Sequence, residues 1–290
     1  MKKAVLATDL SKAAEVLLQC TEQYKALGIE HITLFHALGI QYMNFSGYTY
    51  LDKTKARLEE IKNQLESSGF QADIIIKEGL PYYELVDFGK ENPDHLLILA
   101  SRGMGFMKGV LLGSTADQLI RRSKNPLLLI QCDEIMKDGG KTDSHFTCPL
   151  SYDRVLFATD FSDWSEQAFL FLKQNLLQSS KKIIIAHILD TDKLEERSEQ
   201  EIEKLNQIKL ERLKRLKSDI PDLSGLEINT ELRTGLPIKE LTKLIQDNQI
   251  NLVLMGTHGK GFIKDQILGS TTRGVIESSK VNHLVIPRNS

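Results

Sequence analysis

Two stretches of the chain carry residue types that could hold an anion. From Val253 to Ser279 the sequence reads VLMGTHGKGFIKDQILGSTTRGVIESS. An apolar run gives way to glycines, a histidine and lysines, and then to Gly269-Ser270-Thr271-Thr272 at the opening of a helical pattern. The first backbone N–H groups of a helix have no intrahelical partner. The helix dipole favours negative charge there by about 0.3–1 kcal/mol at an exposed site. Hydroxyls on Ser270, Thr271 and Thr272 add donors. Gly256, Gly259 and Gly261 suit a loop in which backbone approaches a ligand closely or takes positive φ. His258 either donates to the anion or occupies a solvated turn, and Lys260 and Lys264 either screen its charge or are surface residues. The second stretch, LASRGMGFMKGVLLGSTADQ (99–118), repeats the frame with Ala100, Gly103, Gly113, Ser114 and Thr115, and with Lys108 in its loop. The chemistry such loops offer is a polyphosphate cradle. On the residues alone, a tight crossover that merely needs glycine explains them equally well.

Several other chemistries are excluded. No Gly-Lys-Ser/Thr follows a first strand, so neither loop is a P-loop. The GMG and GKG triplets follow a fourth strand and lack the third glycine of a dinucleotide fingerprint. The kinase residue set is absent, and Asp265 is the only acidic residue inside either loop. No His/Cys cluster has metal-ligand spacing, and there is no G-x-S-x-G elbow. No catalytic residue is assigned.

The elements that position these loops are written twice. AVLATDLSKAAEVLL (Ala4–Leu18) matches RVLFATDFSDWSEQAFLFL (Arg154–Leu172), with Asp9 against Asp160 and His36 against His187 at an offset of 151 (160 − 9). Gly79-Leu80-Pro81 matches Gly235-Leu236-Pro237 at 156 (235 − 79), and Gly103, Gly113 and Ser114 keep that offset to Gly259, Gly269 and Ser270. The second copy thus carries extra residues between His187 and Gly235, which we place in its long charged helix, Leu194 to Lys217. Leu205, Ile208, Leu213 and Leu216 should lie on one side of that helix; its charges suit a solvated face, or less simply a coiled-coil seam. Each copy alternates short apolar runs with helical periodicity: RVLFAT, KKIIIAHIL, LEINTELR, NLVLMG and HLVIP are strands, and Pro237 opens a helix. Alternation of this kind predicts a parallel sheet covered by helices on both faces. The expected division is a first domain over 1–132, a linker over 133–152 without periodicity, and a second domain over 153–290.

A net charge of −2 over 290 residues offers no general attraction to nucleic acid or to an anionic membrane. No apolar run approaches the roughly 20 residues of a membrane helix, and MKKAVLATDL turns polar at Thr8, unlike a signal-peptide core. Cys20, Cys132 and Cys148 are odd in number and widely spaced, so neither a disulfide framework nor a metal site is expected, and a reducing cytoplasm is the simplest location.

The spacing Gly256-x2-Gly259-x9-Gly269-Ser270 resembles the ATP-binding signature of the universal stress protein family, and ATDFS (Ala158–Ser162), AHIL (Ala186–Leu189), GLP and MGTHG fall where that family has them. The resemblance covers both halves, so the chain looks like a tandem member. It implies two Rossmann-like α/β domains, each with five parallel strands in the order 3-2-1-4-5. The two halves would pack as an intramolecular pseudo-dimer, with a further homodimer open. It also implies a stress-response protein that binds ATP or a related adenine nucleotide, with Mg²⁺ bridging the phosphates, as a sensor or switch. In the second domain the carried-over site is Ala158 and Ile188 at the adenine, Asp160 at ribose or base, and Gly256, His258, Gly259, Gly261, Gly269, Ser270, Thr271 and Thr272 around the phosphates. Their counterparts, a second possible site, are Ala7, Asp9, Ala37, Ala100, Gly103, Gly113, Ser114 and Thr115. Copy one departs from the signature at Ala100, where a methyl group either pushes the ligand outward or is tolerated at negative φ. Binding is therefore expected chiefly in the second domain. Against this stand plain sheet packing for Ala158 and Ile188, helix N-caps for Asp9 and Asp160, and satisfied core histidines for His36 and His187. A slow ATPase or autophosphorylating enzyme and a nucleotide-independent dimeric scaffold are the rival functions.

Overall fold

A computed structural model describes residues 1–39, 47–101, 112–132, 148–257 and 269–287. His258, Gly259, Lys260, Gly261, Lys264 and Asp265 lie outside the described residues, as do Gly103 and Lys108. The chain divides into two compact units, Met1–Leu150 and Ser151–Ser290.

In the first unit the order is β1 (Lys3–Ala7), α1 (Lys12–Leu17), α2 (Thr21–Ala26), β2 (His31–Leu38), α3 (Gly47–Ser67), β3 (Gln71–Glu78), α4 (Pro81–Glu91), β4 (His95–Ala100), α5 (Ser114–Arg122) and β5 (Leu127–Ile130). β1 pairs in parallel with β2 and β4, β2 with β3, and β4 with β5, which gives the order 3-2-1-4-5. The second unit repeats it as β6 (Arg154–Ala158), α6 (Asp163–Asn175), β7 (Lys182–Asp190), α7 (Glu199–Ser218), β8 (Glu227–Gly235), α8 (Pro237–Asp247), β9 (Leu252–Gly256), α9 (Ser270–Ser278) and β10 (Asn282–Ile286). β6 lies between β7 and β9, β8 flanks β7, and β10 flanks β9, all parallel.

The central strands are near-continuous Val, Ile and Leu because both faces of the sheet are covered. In the second unit Leu156, Ala158, Ile184 and Ala186 pack with α8 and α9 through Leu241, Leu244 and Val275. Phe157, on the opposite face, stacks on Phe169 of α6 at 5.6 Å. Pro81 and Pro237 stand in the first turns of α4 and α8, where the missing N–H is no loss.

Three expectations are corrected. The extra residues of the second copy do not lengthen its helix: α7 has 20 residues and α3 has 21. The second unit instead has a longer connection from α7 to β8 (219–226) than the first has from α3 to β3 (68–70). Accordingly α7 starts at Glu199, where Ser198 and Glu201 form a capping box. Leu213 is buried, but Ile208 is 47% exposed, so the apolar stripe is narrower than its periodicity suggested. Finally, Cys20 and Cys148 form a disulfide, their Cα atoms 5.0 Å apart across a sequence separation of 128. Spacing along the chain says nothing about which distant segments meet, which is why counting cysteines missed it. Cys132 is buried and outside the disulfide, its thiol donating to the Ile130 carbonyl at 3.6 Å. Leu150 and Tyr152, at the end of the segment read as a linker, are buried.

Candidate functional site

Strand order reverses at β6 and β9, and the crevice beyond their carboxyl ends is the place where open α/β sheets take ligands. Three segments line it in the second unit: the loop Thr159–Ser162, the end of β9, and the start of α9.

The loop is held by its own side chains. Thr159 Oγ1 accepts from the Phe161 N–H at 3.0 Å, and Asp160 Oδ1 accepts from the Ser162 N–H at 3.0 Å and its hydroxyl at 2.6 Å. Phe161 takes φ 60°, a left-handed conformation rare for a bulky residue. The first unit does the same with Thr8, Asp9 and Ser11, and Leu10 has φ 59°. The helix N-caps are Ser162 and Ser11, not the aspartates. Asp9 and Asp160 act two residues earlier and close an Asx turn, which corrects the N-cap reading. His187 Nδ1 lies 2.7 Å from the Thr159 carbonyl and His36 Nδ1 2.8 Å from that of Thr8. A carbonyl can only accept, so the proton sits on Nδ1. Both histidines are core residues that fix this loop.

At the end of β9, Gly256 meets the first turn of α6. A Cβ built there would stand 2.8 Å from Trp164 Cβ and 2.9 Å from its backbone carbonyl carbon. Gly256 is not among the glycines with positive φ. Its glycine therefore serves close strand–helix approach rather than an unusual backbone. The position equivalent to Trp164 at the offset of 151 is Ala13, and Ala100 replaces Gly256.

α9 is then fixed on this strand end. The Gly269 N–H donates to the Thr257 carbonyl at 3.1 Å, and Thr272 Oγ1 donates to the Gly256 carbonyl at 2.9 Å. Thr272 is buried and its hydroxyl is spent on that bond, so it is not the ligand donor expected from sequence. Ser270 is exposed and Thr271 half-buried, and the cap residue Gly269 makes no side-chain bond to the first-turn amides. In the first unit Gly113 N–H donates to the Ser101 carbonyl at 2.7 Å, Ser114 is exposed and Thr115 half-buried. There, however, Ala116 replaces Thr272, and Asp117, tied to Arg121 at 3.0 Å, replaces Arg273. The first turn of α5 contains a carboxylate, that of α9 none. A carboxylate competes with an incoming anion for the positive end of the helix dipole.

Of the remaining predicted residues, Ala158 is buried in the sheet core, and Ile188 packs against the same core cluster from a half-buried position. Ala7, Ala37 and Ala100 are half-buried near the ends of β1, β2 and β4. Sequence reasoning missed Trp164, Thr159 and the Asp117/Arg273 exchange. Aligning the two copies residue by residue, rather than motif by motif, would have exposed all three.

The model of the universal stress protein family matches residues 1–131 and 151–287. The chain belongs to that family. Universal stress protein MJ0577 of Methanocaldococcus jannaschii is 28% identical over 153 residues, 45% of this chain and 94% of that protein. A universal stress protein of Mycolicibacterium smegmatis is 21% identical over 97% of this chain and 96% of its own length. The crystal structure of a universal stress protein from Archaeoglobus fulgidus superposes with a TM-score of 0.71, covering 99% of this chain and 98% of that one at 23% identity, a likeness of fold. These universal stress proteins are named for the family rather than for a reaction. Among the described residues no three His, Cys, Asp or Glu side chains are grouped to hold a metal, and no helix is long and apolar enough to cross a membrane.

Proposed function

We propose that this universal stress protein binds ATP or a related adenine nucleotide, chiefly in the second unit, and works as an occupancy-dependent sensor or switch in the stress response. One observation carries the reading. The first turn of α9 is held over the end of β9 by Gly269 and Thr272, beside the Asp160 loop, with no carboxylate of its own. Free amides in that turn suit the phosphates, Ser270 and Thr271 add hydroxyls, and Asp160 faces ribose or base. Gly259, His258 and Gly261 complete the phosphate loop on this reading. Mg²⁺ would bridge phosphate oxygens and supply charge neutralisation, without a dedicated protein cage. The first unit offers the same frame with Asp9, Gly103, Gly113 and Ser114 as a weaker site. The chain self-associates on this reading, as sedimentation would check, and has no nucleic acid or membrane partner. It works in the cytoplasm, where the Cys20–Cys148 bridge would exchange with its dithiol form.

If ATP exceeds its dissociation constant a thousandfold, binding stabilises the fold by about 4 kcal/mol, enough to gate an interaction without turnover. The test is a melting series on nucleotide-stripped protein with ATP, ADP and GTP. A saturable rise with adenine nucleotides alone is expected. No rise with any of them would favour a scaffold, and fast hydrolysis abolished by Ser270→Ala would favour an enzyme.

A further inference from the structure

Between β6, α6 and α7 the second unit has a cavity of about 150 Å³, lined in part by the Thr159–Ser162 loop. Side chains alternate along a strand, so Phe157 and Thr159 face this cavity while Ala158 faces the other way. The first unit has the same cavity built from equivalent positions, reduced to about 10 Å³. The smaller volume scarcely admits one water, whereas a cavity of about 150 Å³ admits a benzene ring.

The linings differ in a consistent direction. Leu6, Leu10 and Leu18 in the first unit become Phe157, Phe161 and Phe169 in the second. The polar floor of the larger cavity is already satisfied: Thr159 Oγ1 donates to Ser165 Oγ at 3.0 Å, which donates to the Ser162 carbonyl at 2.8 Å. Recognition must therefore come from the aromatic walls and the charged rim.

The rim gains positive charge. In the first unit Arg57 is closed off by Glu15 at 3.1 Å and Glu60 at 2.7 Å, which raise its pKa. In the second, Arg212 lines the cavity as Arg57 lines the first, and Arg215 lies one turn further on. The Arg212 guanidinium lies 4.2 Å from the Phe161 ring centroid, with one N–H reaching the Phe161 carbonyl at 3.5 Å, and Lys209 Nζ is 4.9 Å from the same ring. Arg215 is 79% exposed and pairs, among the described residues, with Glu211 at 3.8 Å. Glu166, at the edge, forms no ion pair with any cation among the described residues.

We propose that this cavity is a second ligand site, sharing the Thr159–Ser162 loop with the nucleotide crevice, for a small anion with a single aromatic ring, of the arylcarboxylate class. The ring lies among Phe157, Phe161 and Phe169, and the carboxylate is taken by Arg212 and Arg215, whose forks suit bidentate pairing.

The test uses the full chain, 3-phenylpropionate as anionic probe and 3-phenyl-1-propanol as its neutral counterpart, followed by amide chemical shifts and titration calorimetry. Saturable shifts confined to α6, α7 and the Thr159–Ser162 loop are expected, with the alcohol about tenfold weaker. Arg215→Glu, which reverses the charge at an exposed position, should weaken the acid about tenfold while leaving melting and nucleotide content unchanged. Leu216→Trp, which fills the cavity, should abolish binding. No saturable shift in the wild-type chain, equal affinity for the alcohol, or undiminished binding by Arg215→Glu would overturn the assignment.

Discussion

At the end of the fourth strand the two units carry different residues. The second uses Gly256 against Trp164; the first has Ala100 and, at the position equivalent to Trp164, Ala13. In the first copy the alanine at the signature position comes with a small residue at the position equivalent to Trp164. What separates the two crevices lies in the next helix. Thr272 ties α9 to the strand end and Arg273 follows it, where α5 has Ala116 and a carboxylate at Asp117. A duplicated fold thus supplies its own control, because a difference at a motif glycine counts for ligand binding only after its packing partner has been compared.

The largest effect that sharpens this comparison concerns the disulfide, which the first unit has and the second lacks; Phe171 stands where Cys20 would be. Cys148→Ala should destabilise the first unit by about 2–5 kcal/mol. Hydrogen exchange should show the loss in amides of residues 1–132 and not in those of 151–287. Equal loss in both would break the picture of separately stabilised units.

Gly256→Ala comes next, with a loss of about 1–3 kcal/mol from overpacking against Trp164. Trp164→Ala in the same chain should recover much of it, with a coupling of about 1 kcal/mol in a double-mutant cycle of urea midpoints. Additive effects would show that the glycine is kept for another reason.

A third prediction rests on His283, which pairs with Val253 where the first unit pairs Leu127 with Leu97. Burial pushes its pKa from 6.5 down to about 3. The unfolded chain therefore binds the proton first. Stability from this site is complete above pH 6.5 and falls, by at most about 1.4 kcal/mol per unit, as the pH drops toward 3. His283→Leu, which copies the first unit, should flatten the acid limb of the stability curve by that amount. An unchanged limb would mean that the imidazole reaches solvent.

The smallest effect bears on the helix termini. Arg273→Asp, which gives α9 the first-turn charge of α5, should weaken adenine nucleotide binding about two- to fivefold. Calorimetry would detect it, and no change would remove the electrostatic argument for preferring the second crevice.

Much of this architecture is legible in the chain itself. Runs such as KKIIIAHIL and NLVLMG can only be strands covered on both faces, and Pro237 marks a helix start. The crevice is readable because glycine and Ser-Thr steps follow the fourth strand in both copies. Tertiary partners are not. The Cys20–Cys148 bridge, the Trp164 contact of Gly256 and the Thr272–Gly256 bond join residues whose proximity is created by folding, and period and spacing carry no trace of it. The extra residues of the second copy lie in the connection after α7 (219–226 against 68–70) rather than in the helix itself. Loops also tolerate insertion at little entropic cost.

The central claim is that one adenine nucleotide is held chiefly by the second crevice. It is tested most directly by the ligand that leaves the purified chain on heating, identified by mass for the wild type, Gly259→Val and Gly103→Val. The account predicts adenine nucleotide from the wild type and from Gly103→Val, and its loss from Gly259→Val. Wild-type protein without nucleotide, or equal loss from both variants, would contradict it.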